Sequence, residues 1–169
     1  MQHYLERAQA EIDRTLATAT AADLDRVRQG TWTAAHIVEH LTLGFMGTRA
    51  ALEKALASGE LRAKRPELRQ HLARVLVNDV GYFPRVEAPK LTTPTGSIPA
   101  EHSRQAITEA LAAMDAALTS AEARFGAAAL VANHPYFAGL TVAQWRKFHW
   151  RHTRHHMRQI RALLATPSA

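Results

Sequence analysis

Residues 140–160 read LTVAQWRKFHWRHTRHHMRQI, and the fold turns on how this stretch is wound. Thr141 suits an N-cap, and the spacing predicts a long helix from about Val142 to Leu164. At about 100° per residue, Trp145, His149, His152, His156, Ile160 and Leu163 share one face. Lys147, Arg151, Arg154, Arg158 and Arg161 form a stripe opposite to it. One face therefore carries three histidines among apolar neighbours, while His155 falls to the side, nearer the basic edge. A face of that kind packs inward, so the polar residues on it need partners.

A divalent metal is one such partner. His152 and His156 are one helical turn apart, the spacing that lets two imidazoles converge on a single ion. His149 and His152 form a competing pair. His149 and His156 lie two turns apart, roughly 10 Å, too far for two bonds of about 2.1 Å. The alternative is a row of neutral core histidines held by hydrogen bonds.

A second segment supplies the complement. Residues 31–47, TWTAAHIVEHLTLGFMG, predict a helix from about Ala34 to Ala57, with Thr33 as its N-cap and Gly59 just beyond its end. His40 lies within its uncharged sector, beside Ile37, Leu41, Phe45 and Leu52. His36 lies nearer the edge, and Glu39 points about 100° from His40, which reads as a surface charge. Gly44 and Gly47 leave open space beside His40. If this helix packs on the last one, His40, His152 and His156 hold a divalent ion with an open coordination position, the arrangement of catalytic sites.

The rest of the chain fits around these two helices. Leu5, Ala8, Ile12 and Leu16 predict a first helix from about Gln2 to Thr18. The stretch ATAADLDRVRQG reads as a polar connection. A shorter helix is expected from Pro66 to about Val80, and a third long one from about Ala100 to Phe125, closed by Gly126. Between these two lies GYFPRVEAPKLTTPTGSIP, a Pro-rich loop from Tyr82 to Pro99, either a lid over the site or a rigid connection across the bundle end. AAALVANHPYFAG is a second loop. No segment alternates with period two, so little or no sheet is expected. The reading is an all-α four-helix bundle with one extra short helix, a single domain over 1–169 with a frayed tail at 166–169.

Composition narrows the function. The 169 residues are 47% hydrophobic and 21% charged, the balance of a globular domain. There is no Cys, so disulfides, thiolate metal sites and a cysteine nucleophile are excluded. No apolar run is long enough for a membrane span. The charged N-terminus gives a cytoplasmic address as the default. Net charge is +6, and no acidic residue follows Glu122. The basic stripe reads as a solvated helix face, with a surface for anionic partners as the alternative. Nothing else points to nucleic acid.

These residues resemble the DinB-like superfamily of bacterial metal-binding four-helix bundles. The resemblance rests on Trp32 followed by His40-Leu41, on the last helix with His152, His155, His156 and Gln159, and on HPYFAGLT before it. That stretch is similar to an HP-x-F-G-x-L-T lead-in of one branch, which also carries an AP-K loop like APKLTTP here. The match covers most of the chain from Trp32 onward, with Ala138 and Ile160-Arg161 as departures. The resemblance implies a divalent metal held by His40, His152 and His156. It also implies a bundle that is often a homodimer. Characterised members include thiol transferases, thiol-dependent isomerases and proteins described as metal-dependent hydrolases.

Such an ion, with Zn, Ni and Fe all suited to three imidazoles, activates either water or a thiol cofactor toward a small-molecule substrate. Lacking Cys, the chain would need an external low-molecular-weight thiol, whose carboxylates Arg residues near the mouth would hold. A hydrolytic route needs a general base, for which His36 and His149 are the candidates. The alternatives are a non-catalytic metal-binding bundle and a partner-binding helical module.

Overall fold

The computed structural model describes residues 3–27, 32–84 and 87–165. Helix α1 spans His3–Leu16 and α2 spans Ala21–Asp25. Helix α3 spans Ala34–Ser58, α4 spans Leu68–Val75, and α5 spans Ser103–Phe125. Strands β1 (Ala132–His134) and β2 (Ala138–Leu140) precede α6, Val142–Ala165. The four long helices form the expected bundle, with α3 packed chiefly on α5 and α1 on α6. Among the described residues, no helix is long and apolar enough to cross a membrane. The anticipated frayed tail, 166–169, lies outside the described residues.

The core is built from the apolar stripes. Leu41, Phe45 and Leu52 of α3 are fully buried with Ile107, Met114 and Leu118 of α5 and with Met157 and Ile160 of α6. Each such side chain contributes roughly 1.5–3 kcal/mol of burial. Thr33 caps α3 in a reciprocal box with His36: the His36 N–H donates to Thr33 Oγ1 at 3.1 Å, and the Thr33 N–H donates to His36 Nδ1 at 3.4 Å. Gly59 ends the helix with φ 71°, which glycine adopts without steric cost.

Three features differ from the sequence reading. The polar connection holds the short helix α2, nucleated by a Thr20–Asp23 capping box. The short helix starts at Leu68 and passes into a π-helical turn, Leu76–Val80, closed by Gly81 and Tyr82 N–H groups on the Leu76 carbonyl. The loop before α6 contains a two-stranded antiparallel ribbon, Ala132 opposite Leu140 and His134 opposite Ala138. Gly139 is required there, because a Cβ would lie 2.6 Å from the Lys64 carbonyl oxygen.

The basic stripe of α6 is only partly a solvated face: Arg158 is exposed, while the other four cations find partners. Arg161 donates to Glu11 and Thr15 of α1 at 3.0 and 2.6 Å. Arg151 donates to the carbonyls of Asn78 and Asp79 at 3.1 and 3.0 Å, Lys147 pairs with Asp79, and Arg154 lies over the Trp150 ring. Arg161 fastens α6 to α1, and Lys147 and Arg151 fasten it to the π turn, which fixes how the histidine face is presented. Arg146, off the stripe and buried, is satisfied by Asp115, Thr119 and Glu122 of α5.

Candidate metal centre

His40 of α3 meets His152 and His156 of α6 at the wall of a large cleft. One ring nitrogen from each lies within 4.8 Å of the other two. His152 Nε2 is 3.3 Å from His40 Nε2 and 2.9 Å from His156 Nε2. Three nitrogens bonded tetrahedrally to one ion at about 2.1 Å stand about 3.4 Å apart, so the spacing needs only small adjustment. The one-turn separation on α6 and the packing of α3 beside it produce the convergence.

The other ring nitrogens set the tautomers. His40 Nδ1–H donates to the Thr92 carbonyl at 2.8 Å, and His156 Nδ1–H donates to Gln159 Oε1 at 2.7 Å. Both Nε2 atoms are therefore left with lone pairs directed at His152 Nε2. A single proton on His152 can serve only one of them, whereas a cation among the three satisfies all. The donor set fits a divalent ion. His152 is held in plane between Phe148, stacked at 5.2 Å, and Phe83 at 5.7 Å.

Electrostatics keep these imidazoles neutral, the form that ligates. Burial pushes His156 down to about 3, helped by His40 and opposed by the Gln159 hydrogen bond. Burial holds His152 well below its ordinary value, and the neighbouring imidazoles add to this. His40 is lowered by burial, partly offset by the Thr92 carbonyl.

Glu39 corrects the sequence reading. It is buried, at 1% exposure, not a surface charge. Its carboxylate accepts the backbone N–H groups of Thr95, Gly96 and Ser97 at 3.2, 2.8 and 3.2 Å, and the Ser97 hydroxyl at 2.7 Å. Burial alone would raise its pKa; these hydrogen bonds, Ser97 foremost, outweigh burial and hold it below the usual carboxylate value. The end of the Pro-rich loop is thus clamped to α3, and it brings the Thr92 carbonyl to His40. The clamp holds residues 92–97 of the loop, while Phe83, Pro84, Glu87, Ala88, Pro89 and Leu91 line the cleft.

Neither proposed general base lines the cleft. His36 caps α3. His149 is a core residue at 2% exposure, its Nε2 3.0 Å from Thr48 Oγ1, with burial pushing its pKa to about 3. His155 lines the cleft outside the trio; it stacks on Phe83, and its Nε2 accepts from Gln159 Nε2 at 3.1 Å. Sequence reasoning missed the roles of Glu39, Thr92 and His134. His134 is stacked on Phe137 at 4.2 Å, and burial takes its pKa to about 3. Gln159, quoted only for its place in a pattern, proves to link His155 to His156.

A family model described as the DinB superfamily matches residues 4–160. No curated protein and no solved structure matches the chain.

Proposed function

The chain belongs to the DinB superfamily, and from that premise we propose that it binds one divalent metal ion through Nε2 of His40, His152 and His156 and acts on a small molecule held in the adjoining cleft. The observation that supports this reading is the convergence of the three nitrogens within 4.8 Å, with the Nδ1–H groups of His40 and His156 already committed elsewhere. An ion held there acts as a Lewis acid, lowering the pKa of a bound water or an external thiol toward neutrality.

The chain's own residues do the remaining work. Thr92 and Gln159 hold the tautomers of His40 and His156. Phe83 and Phe148 keep His152 from rotating. His155, which lines the cleft beside His156, is the candidate to carry a proton near the reacting end. Since the chain has no Cys, a thiol nucleophile comes from outside.

Cobalt(II) tests the reading through its visible spectrum. Stripped protein should take up one cobalt per chain, and the bands should shift when azide or a small thiol is added, because a position is open to exchange. Failure to bind cobalt rejects the metal reading. A bound cobalt whose spectrum ignores every added ligand rejects catalysis and leaves the ion a structural role.

A further inference from the structure

We propose that the cleft beside the three imidazoles binds a bulky, uncharged and largely apolar small molecule, with its reactive end at the histidines and its body along α3. The inference rests on the metal reading only for which end reacts. The cleft measures about 1650 Å³, against roughly 300–1,000 Å³ for ordinary small-molecule sites. A water molecule or a small thiol leaves most of it unfilled.

Its walls define the chemistry. Trp32, Phe83, Tyr136, Phe137, Trp145 and Phe148 all line it. Apart from histidines, Arg69 and Glu87 are the only acidic or basic side chains among the described lining residues. The Arg69 side chain is 85% exposed and stands 3.8 Å from Glu67; it is solvated and already has a carboxylate beside it. A ligand bearing several carboxylates finds no built partner here, whereas an apolar body is covered on several sides by aromatic rings.

The α3 wall carries the same message. His40, Gly44, Gly47 and Ala51 follow one another along one face of α3, and all line the cleft. Glycine weakens a helix interior, and here no neighbour demands it. A Cβ built on Gly44 or Gly47 meets no atom within 4 Å, and neither residue has a positive φ. What the missing side chains keep open is the cleft itself, directly beyond His40.

Nile red, neutral and apolar, is the probe. Titrated into zinc-loaded protein, it should bind with micromolar affinity and a blue-shifted emission. The G44L/G47L double variant should keep its zinc stoichiometry, melt no lower than the parent, and bind Nile red at least tenfold more weakly. A51F, which replaces no glycine, should weaken binding in the same direction, so the test stands even if the double variant folds poorly. Millimolar glutathione, an anionic thiol, should fail to displace the dye. Equal dye affinity in parent and variants, no dye binding by the parent, or displacement by glutathione would overturn the proposal. Dye binding lost in the variants, with no zinc bound by any protein, would reject the metal reading and leave the cleft assignment standing.

Discussion

Glu39 and His40, neighbours on α3, hold the same loop at two points. The Glu39 carboxylate gathers the N–H groups of Thr95, Gly96 and Ser97, while the His40 imidazole donates to the carbonyl of Thr92. One residue anchors the segment whose carbonyl orients the other. E39Q removes the charge from this clamp, and hydrogen bonds to charged groups are worth about 1.5–3 kcal/mol each. The variant should lose roughly 2 kcal/mol of stability and about tenfold in zinc affinity. Urea denaturation and calorimetric zinc titration check the two effects separately. Unchanged zinc affinity with lowered stability would confine Glu39 to a structural role.

Gln159 and His155 separate a direct effect from a relayed one. Gln159 Oε1 fixes the tautomer of His156, whereas His155 touches only the other end of that amide. Q159L should lower zinc affinity by about 10–100-fold. H155A should lower it much less, because the Gln159–His156 hydrogen bond survives. Competition with a zinc chelator measures both, and the reverse order would contradict the assignment of His155 to a place outside the trio.

Acid should destabilise the metal-free protein well before its carboxylates titrate. His134 and His149 have folded-state pKa values near 3, against about 6.5 when unfolded. Between those limits the unfolded chain binds more protons, so stability falls as pH falls from about 6.5 and is unaffected above it. These two groups alone contribute a slope of up to about 2.7 kcal/mol per pH unit, and His156, also near 3, adds to it in the metal-free protein. Glu39, with a depressed pKa, adds a further loss as pH drops below about 4.5. Urea midpoints at pH 7, 6 and 5 test this, and H134F should reduce the slope by about one proton.

Ala138, the first residue of β2, sits at φ 57°, a left-handed conformation that costs a residue with a Cβ about 1 kcal/mol. The lead-in pattern that HPYFAGLT resembles has glycine at this position. A138G should raise stability by up to about 1 kcal/mol, read as a small rise in melting temperature. A fall would mean that the turn relaxes in solution.

The long helices and the histidine trio were legible because both obey the helical period. His152 and His156 are one turn apart, and His40 sits in an uncharged sector, so a wheel brings them to facing surfaces. The wheel misplaced Glu39 because it describes a helix relative to other helices. What covers Glu39 is irregular loop, whose backbone N–H groups solvate the carboxylate in place of water. Three-residue strands are too short to show alternation, which hid the ribbon at 132–140. The Thr20–Asp23 capping box marked α2 in plain view. The fate of the Arg stripe depended on where α1 and the π turn came to rest, and no local pattern encodes that.

The central claim is that three imidazoles from two helices hold one ion. Native mass spectrometry of chelator-stripped, untagged protein after addition of one equivalent of zinc tests it most directly, with H152A measured beside it and circular dichroism as the control for folding. The parent should appear with one zinc per chain, and H152A should remain metal-free with an unchanged helical spectrum. A parent that stays metal-free, or an H152A variant that takes up zinc equally well, would contradict the account.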